Sequence, residues 1–280
     1  MIESLRATCR RLLETGTAQV VIGYGQADPG KAVHPVFIRR PEDADQLTWN
    51  DQCYPNLVAY LKRKEIQSLG KAAIVVKGCD ERGLIVLERE SQIDRGSLYV
   101  IGIVCGGVGN PKLDKCKSCG AHRPRFANEI LGESSLLQDG VGQKWQALEE
   151  FLTKSPSQRM AYWQNEFSRC LKCYACRQVC PMCYCERCLV DKNRPTCIDT
   201  SPTLKGNFAW HITRAFHLAG RCIGCDECTR VCPVGIDLRL LNQSLAKAAE
   251  EQFGYRAGMD PQAEPLIGSY SLQDKDGFIG

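Results

Sequence analysis

The sequence predicts an α/β domain with parallel strands, followed by a smaller α-helical (α+β) domain organised around clustered cysteines. Three observations carry this. Apolar runs rich in β-branched residues and bounded by glycine enclose a helical pattern between residues 71 and 107. A cysteine-rich run ending in Cys-Pro then occurs twice with the same internal spacing, at 170–181 and 222–233. Helical rather than strand patterns flank those runs.

Composition narrows the class. The chain has 280 residues, with 36 basic and 32 acidic side chains and a formal net charge of +4. That balance argues against a dedicated nucleic-acid binder, whose basic face leaves a larger surplus. The opening stretch MIESLRATCRRLLETG has no uninterrupted apolar core, and no run of about 18 apolar residues occurs. A soluble, cytoplasmic chain without a membrane span is therefore expected. Its 18 cysteines sit largely at gaps of two and three residues, which suits metal ligation better than disulfides.

In chain order, AQVVIG (18–23) and HPVFI (34–38) are expected strands, and NLVAYLKRK (56–64) a connecting helix. VIGYGQ (21–26) is a glycine-bearing turn with a structural role. KAAIVVKG (71–78) reads as a buried parallel strand, CDERGLIVLERE as a helix, and SLYVIGIVCGG (97–107) as the next strand. Strand, helix and strand within about 35 residues make a βαβ unit. GQKWQALEEFL (142–152) and SQRMAYWQNEF (157–167) are helices separated around Ser155-Pro156. NFAWHITRAFHLAG (207–220) is a helix whose apolar face (Phe208, Ile212, Ala215, Phe216 and Ala219) is expected to pack under the cysteine loops, and which stops at Gly220. LRLLNQSLAKAAEEQF (238–253) is a closing helix. The expected domains are 1–145, an α/β domain; 146–168, a helical connection; 169–250, the cysteine-rich domain with an insertion at 183–206; and 251–280, an extended tail. Tyr255, Leu266, Ile267, Tyr270 and Phe278 recur along that tail, as expected of a segment ordered against another subunit.

Both cysteine runs read C-x2-C-x2-C-x3-C-P: Cys170, Cys173, Cys176 and Cys180 before Pro181, and Cys222, Cys225, Cys228 and Cys232 before Pro233. Three thiolates on a short loop can hold three corners of an iron–sulfur cube, and the fourth corner needs a ligand from elsewhere. In two-cluster ferredoxins the fourth cysteine of each run serves the other cluster. That pattern predicts Cys170, Cys173, Cys176 and Cys232 on one [4Fe–4S] cluster, and Cys222, Cys225, Cys228 and Cys180 on a second. Zinc is disfavoured, because zinc sites take ligands in pairs rather than three plus one. Arg169, Lys172, Arg177 and Arg187 flank the first run, as cations that favour the reduced cluster, as an ordinary solvated face or as a dock for an acidic partner. If the two central strands are adjacent, Cys79 and Cys105 both lie at the carboxyl edge of the sheet, with Cys116 and Cys119 on the loop beyond. A third [4Fe–4S] cluster is expected there, with zinc or unmetallated thiols as alternatives.

The two runs resemble bacterial dicluster ferredoxins over roughly residues 168–240, so the second domain is expected to be ferredoxin-like; the 41 residues between Cys180 and Cys222 depart from that pattern. VVKGCDERGLIVLERE, IGIVCGG and KCKSCGAHRP resemble the beta subunits of coenzyme F-420 hydrogenase and formate dehydrogenase. CPMCYCERC and WHITRAFHLAGRCIGCDECTRVCP resemble iron–sulfur subunits that accompany heterodisulfide-reductase-like flavoproteins, and the A subunit of anaerobic sulfite reductase. These resemblances cover about residues 70–240. They imply an electron-transfer subunit of an anaerobic oxidoreductase complex, partnered by a flavoprotein and other redox subunits, with no nucleic acid and no membrane span. Some members bind FAD and reduce the deazaflavin themselves, which makes a flavin-binding subunit the alternative; a zinc-binding structural or regulatory module is the other.

Six cysteines remain. Cys183, Cys185, Cys188 and Cys197 lie together in the insertion, as a further metal site, as alternative ligands or as buried apolar side chains. Cys9 and Cys53 are expected in the core, as is Trp210, while His211 and His217 are expected as packing or polar-face residues.

Overall fold

The computed structural model describes residues 1–28, 30–117, 119–133, 144–192 and 194–268. The chain forms two compact units, Met1–Lys144 and Trp145–Gly280.

The first unit opens with α1 (Ile2–Glu14), which buries Leu5, Thr8, Cys9 and Leu12. Their spacing of three and four residues is one helix face, a signal absent from the sequence expectations above. The sheet comprises β1 (Val20–Gly25), β2 (His34–Ile38), β3 (Ala72–Lys77), β4 (Leu98–Ile103) and β5 (Glu129–Leu131), in the spatial order β2-β1-β3-β4-β5. β2 pairs antiparallel with β1, and the remaining pairs are parallel. The expected α/β character is thus borne out for this unit. Every residue of β1 and β3 is buried, as a sheet covered on both faces requires.

Two local expectations are corrected. Residues 21–25 are strand interior, not a turn: a side chain at Gly23 would strike Leu47, and one at Gly25 would strike Val36, so these glycines permit close packing. Residues 56–64 are not one helix. A 3-10 turn, Leu57–Tyr60, is started by the Asn56 side chain accepting from Val58 N–H at 3.0 Å; a short helix α2 (Lys64–Gln67) follows. Leu57, Val58 and Ala59 are all buried, so no amphipathic stripe exists to propagate a helix.

α3 (Gly78–Arg89) links β3 to β4. Its first residue lies against the backbone of Ala121 and Arg123, where a Cβ has no room. Glu81, buried on α3, accepts from Arg125 N–H at 2.7 Å and Phe126 N–H at 2.9 Å. These contacts hold the chain that follows α4 (Asp114–Lys117) against the carboxyl end of β3.

The second unit contains helices and loops but no strand among the described residues: α5 (Gln146–Leu152), α6 (Pro156–Ser168), α7 (Ala175–Gln178), α8 (Leu204–His217), α9 (Glu227–Arg230) and α10 (Leu238–Phe253). Ser155 and Gln158 cap α6 reciprocally, and Pro156 supplies its first turn. Leu148 and Phe151 of α5 pack on Leu240 of α10 with Tyr162 and Trp163. α10 starts at the Asp237 cap and ends at left-handed Gly254 (φ +62°). Leu266 covers Gly220, so this part of the tail lies on its own chain; Tyr270 and Phe278 fall outside the described residues.

Candidate metal centres

The two cysteine runs share one backbone design. Lys172 (φ +55°) and Gly224 (φ +70°) are left-handed, as are Tyr174 (φ +57°) and Asp226 (φ +65°), each pair 52 residues apart. Each run then enters a four-residue helix, α7 or α9, that carries its third cysteine. Non-glycine residues in this region are strained and persist where surrounding contacts enforce them. Their repetition at equivalent positions marks the loops as duplicated in structure as well as in spacing.

Four cysteines from both runs line one narrow cavity: Cys180 from the first, with Cys222, Cys225 and Cys228 from the second. Burial raises the Cys228 thiol to about 12 against the lowering effect of Arg214, and neighbouring Cys222, Cys180 and Cys176 reinforce the rise. Cys225 stands well above the usual thiol value through burial and then through Cys180. Asn242 Nδ2 donates to Cys228 Sγ at 3.7 Å.

Cys170, Cys176, Cys228 and Cys232 pack with Phe167, Ile236 and Leu238. Burial raises the Cys170 thiol, the Lys172 N–H opposes it, and Cys173 and Cys232 add to the rise. Cys170 Sγ accepts from Lys172 N–H, and Cys232 Sγ from Ile236 N–H, both at 3.4 Å. Cys173 is the exposed member, beside exposed Leu171.

The sheet edge gathers a third group. Parallel pairing matches Lys77 with Ile103, so Cys79 and Cys105 each stand two residues past the ends of neighbouring strands. Cys105 is tied to the following loop through Cys105 N–H to His122 O at 2.9 Å. Val108 N–H donates to Cys116 Sγ, Gly107 N–H to Cys105 Sγ and Ala121 N–H to Cys119 Sγ, each at 3.4 Å. Burial holds Cys79 well above the usual thiol value, with Cys119 among its electrostatic neighbours; Cys105 is raised by burial, with Cys116 among its neighbours. Cys53, fully buried and raised to about 11 chiefly by burial, also senses Cys105. It is core, as expected, and stands close to this edge.

Among the described residues, no three His, Cys, Asp or Glu side chains are drawn together closely enough to share a single metal ion. The donor sets nonetheless fit an iron–sulfur group. Each offers soft sulfur ligands on constrained loops, with backbone N–H groups directed at individual Sγ atoms, that of Glu227 at Cys225 in the shared cavity. Crowded, buried thiols resist ionising beside one another, and a cationic iron core removes that resistance by displacing their protons.

The remaining cysteines do not form a comparable set. Cys183 and Cys188 lie near Arg177, while Cys185 and Cys197 are exposed. Cys188 packs with Val190, Ile198 and Trp210, and Arg177 holds Asp191 through two bonds of 2.8 and 2.7 Å. Cys9 is core, as expected.

The expectation for α8 holds in part: Phe208 and Ile212 pack against the group of Phe167, Cys176, Ile236 and Leu238, and Ala215 is buried, but polar side chains share that face. Asn207, His211 and Arg214 are buried, whereas Phe216 is 60% exposed. Asn207 Nδ2 donates to Phe167 O at 2.8 Å and Cys170 O at 2.9 Å, and Arg214 Nη2 donates to Cys176 O at 3.0 Å. These side chains donate to backbone carbonyls where α6 and α7 meet the cysteine loop, which satisfies buried acceptors there.

No protein-family model matches the chain. Two curated proteins resemble it over most of their lengths. The F420-dependent formate dehydrogenase subunit beta of Methanocaldococcus jannaschii is 30% identical over an alignment of 327 positions, which covers 83% of this chain and 85% of the relative. The F420-dependent formate dehydrogenase 1 subunit beta of Methanococcus maripaludis is 22% identical over 367 positions, covering 95% of this chain and 92% of the relative.

Proposed function

The chain belongs to the family of F420-dependent formate dehydrogenase beta subunits, and from that premise we propose that it is the iron–sulfur electron-transfer subunit of an oxidoreductase complex, working with a flavoprotein partner. The observation that carries the proposal is the cavity shared by Cys180, Cys222, Cys225 and Cys228. Chain connectivity separates Cys180 from the other three, and the crossed-ligand arrangement of two-cluster ferredoxins calls for this union. Cys170, Cys173, Cys176 and Cys232 make the matching set, and Cys79, Cys105, Cys116 and Cys119 the third. A [4Fe–4S] cluster in such a set takes up and releases one electron at a time. The residues around it perform the protein's share. N–H groups donate to the thiolates, Phe167, Ile236 and Leu238 pack against Cys170, Cys176, Cys228 and Cys232, and the left-handed positions fix the loops. Among the described residues no helix is long and apolar enough to cross a membrane.

Anaerobic purification of the full chain with iron, acid-labile sulfide and flavin quantitation tests this reading. Iron and sulfide in equal amounts, with Cys225→Ser losing part of both, is the expected result. A chain carrying zinc, or no metal, overturns it.

A further inference from the structure

Arg214 is 4% exposed, and among the described residues no carboxylate pairs with it. Its Nη2 donates to Cys176 O at 3.0 Å, and its Nε–H has no partner. The same side chain lines the cavity of Cys180, Cys222, Cys225 and Cys228. A buried guanidinium without a counter-charge costs several kcal/mol, so such groups stay where an anion answers them. The surrounding anionic candidates are the cysteine sulfurs of both runs. Three of the four flanking cations chosen from sequence are differently engaged. Arg169 pairs with Glu166, Arg177 with Asp191, and Lys172 donates to Asp199 O.

We propose that Arg214 is a positioning residue whose charge and free Nε–H favour the reduced, more negative state of the group held by Cys180, Cys222, Cys225 and Cys228. The inference rests on the proposed cluster at that cavity. Its effect on the first set is smaller, because there the contact is to a backbone carbonyl rather than to the cavity itself. A fixed positive charge and a hydrogen bond to sulfur both stabilise added negative charge, and hydrogen bonding and net charge are the levers that set such potentials. Among the buried polar residues of α8, Arg214 alone carries a permanent charge.

The test is an anaerobic redox titration of the full chain, followed by electron paramagnetic resonance, for the wild type, Arg214→Gln and Arg214→Lys. Iron and sulfide are quantified first, and a wild type without them refutes the cluster reading, separately from the role of Arg214. With iron present, Arg214→Gln is expected to move one cluster midpoint to more negative potential, with Arg214→Lys falling between it and the wild type. Coincident midpoints in all three overturn the proposal. If Arg214→Gln sheds iron, retention in Arg214→Lys supports a charge-based role, and equal loss in Arg214→Lys overturns it.

Discussion

Lys77 Nζ lies 2.7 Å from Asp80 Oδ2, and both side chains are only 1% exposed. The same ammonium donates to Cys53 O at 2.9 Å, to Pro55 O at 3.1 Å and to the Tyr24 hydroxyl. One buried cation therefore ties the end of β3, the start of α3, β1 and the 53–55 segment together beside Cys79. Removing one partner of a buried pair strands the other. Lys77→Met is expected to lower unfolding free energy by about 3–5 kcal/mol, and adding Asp80→Leu to recover part of that loss. Urea denaturation of the full chain measures both. Burial opposes the charge on Lys77, but Asp80 and Tyr24 outweigh it and hold its pKa well above 10.5. The pair's contribution is therefore full below the unfolded lysine pKa and is lost only as pH rises through the higher folded one.

The shared cavity makes a sharper claim about ligands than spacing alone. Cys180 lies in the first run, yet Cys180→Ser is expected to abolish the same paramagnetic signal as Cys225→Ser. Cys232→Ser should match Cys173→Ser instead. Spectra of the four dithionite-reduced variants distinguish crossed from uncrossed pairing. Signals that group Cys180 with Cys173 would refute the crossed arrangement.

At the sheet edge, Glu81 joins α3 to the chain that leads away from Cys119. Burial raises its carboxyl, and the N–H groups of Arg125 and Phe126 work against that rise. Glu81→Leu leaves both N–H groups without their acceptor, at a cost of about 1–3 kcal/mol for each one that stays buried. Iron loss in this variant should be confined to the third site, leaving the signals dependent on Cys173 and Cys225 in place.

What the sequence made legible follows from the kind of force at work. β3 and α10 were readable because burial on both faces and an amphipathic helical period each leave a one-dimensional pattern. The adjacency of Cys79 and Cys105 was readable as a consequence of two parallel strands lying side by side. The buried face of α8 was readable only in part. Phe208, Ile212 and Ala215 follow hydropathy, whereas Phe216 is exposed and Asn207 and Arg214 are buried because the carbonyls of Phe167, Cys170 and Cys176 need donors. That need arises only once the loops are folded. Cys53 is core as expected, but its nearness to Cys105, far along the chain, leaves no local pattern.

His211 makes the last consequence measurable. Its ring stacks on Phe167 with centroids 4.5 Å apart and planes 18° apart, and neither ring nitrogen has a partner. Burial, then the charges of Arg214 and Lys172, push the imidazole down from 6.5 to about 3. The folded chain thus keeps His211 neutral where the unfolded chain takes up a proton. Stability rises with pH between those two values and is lost on acidification, by about 1.4 kcal/mol for each pH unit below roughly 6.5. His211→Phe keeps an aromatic ring against Phe167 and removes the titration. Between about pH 6.5 and pH 5 the wild type should lose about 2 kcal/mol more than His211→Phe. Denaturation midpoints measured at both pH values on the full chain decide the point, and parallel losses in the two proteins would mean that His211 is protonated in the fold.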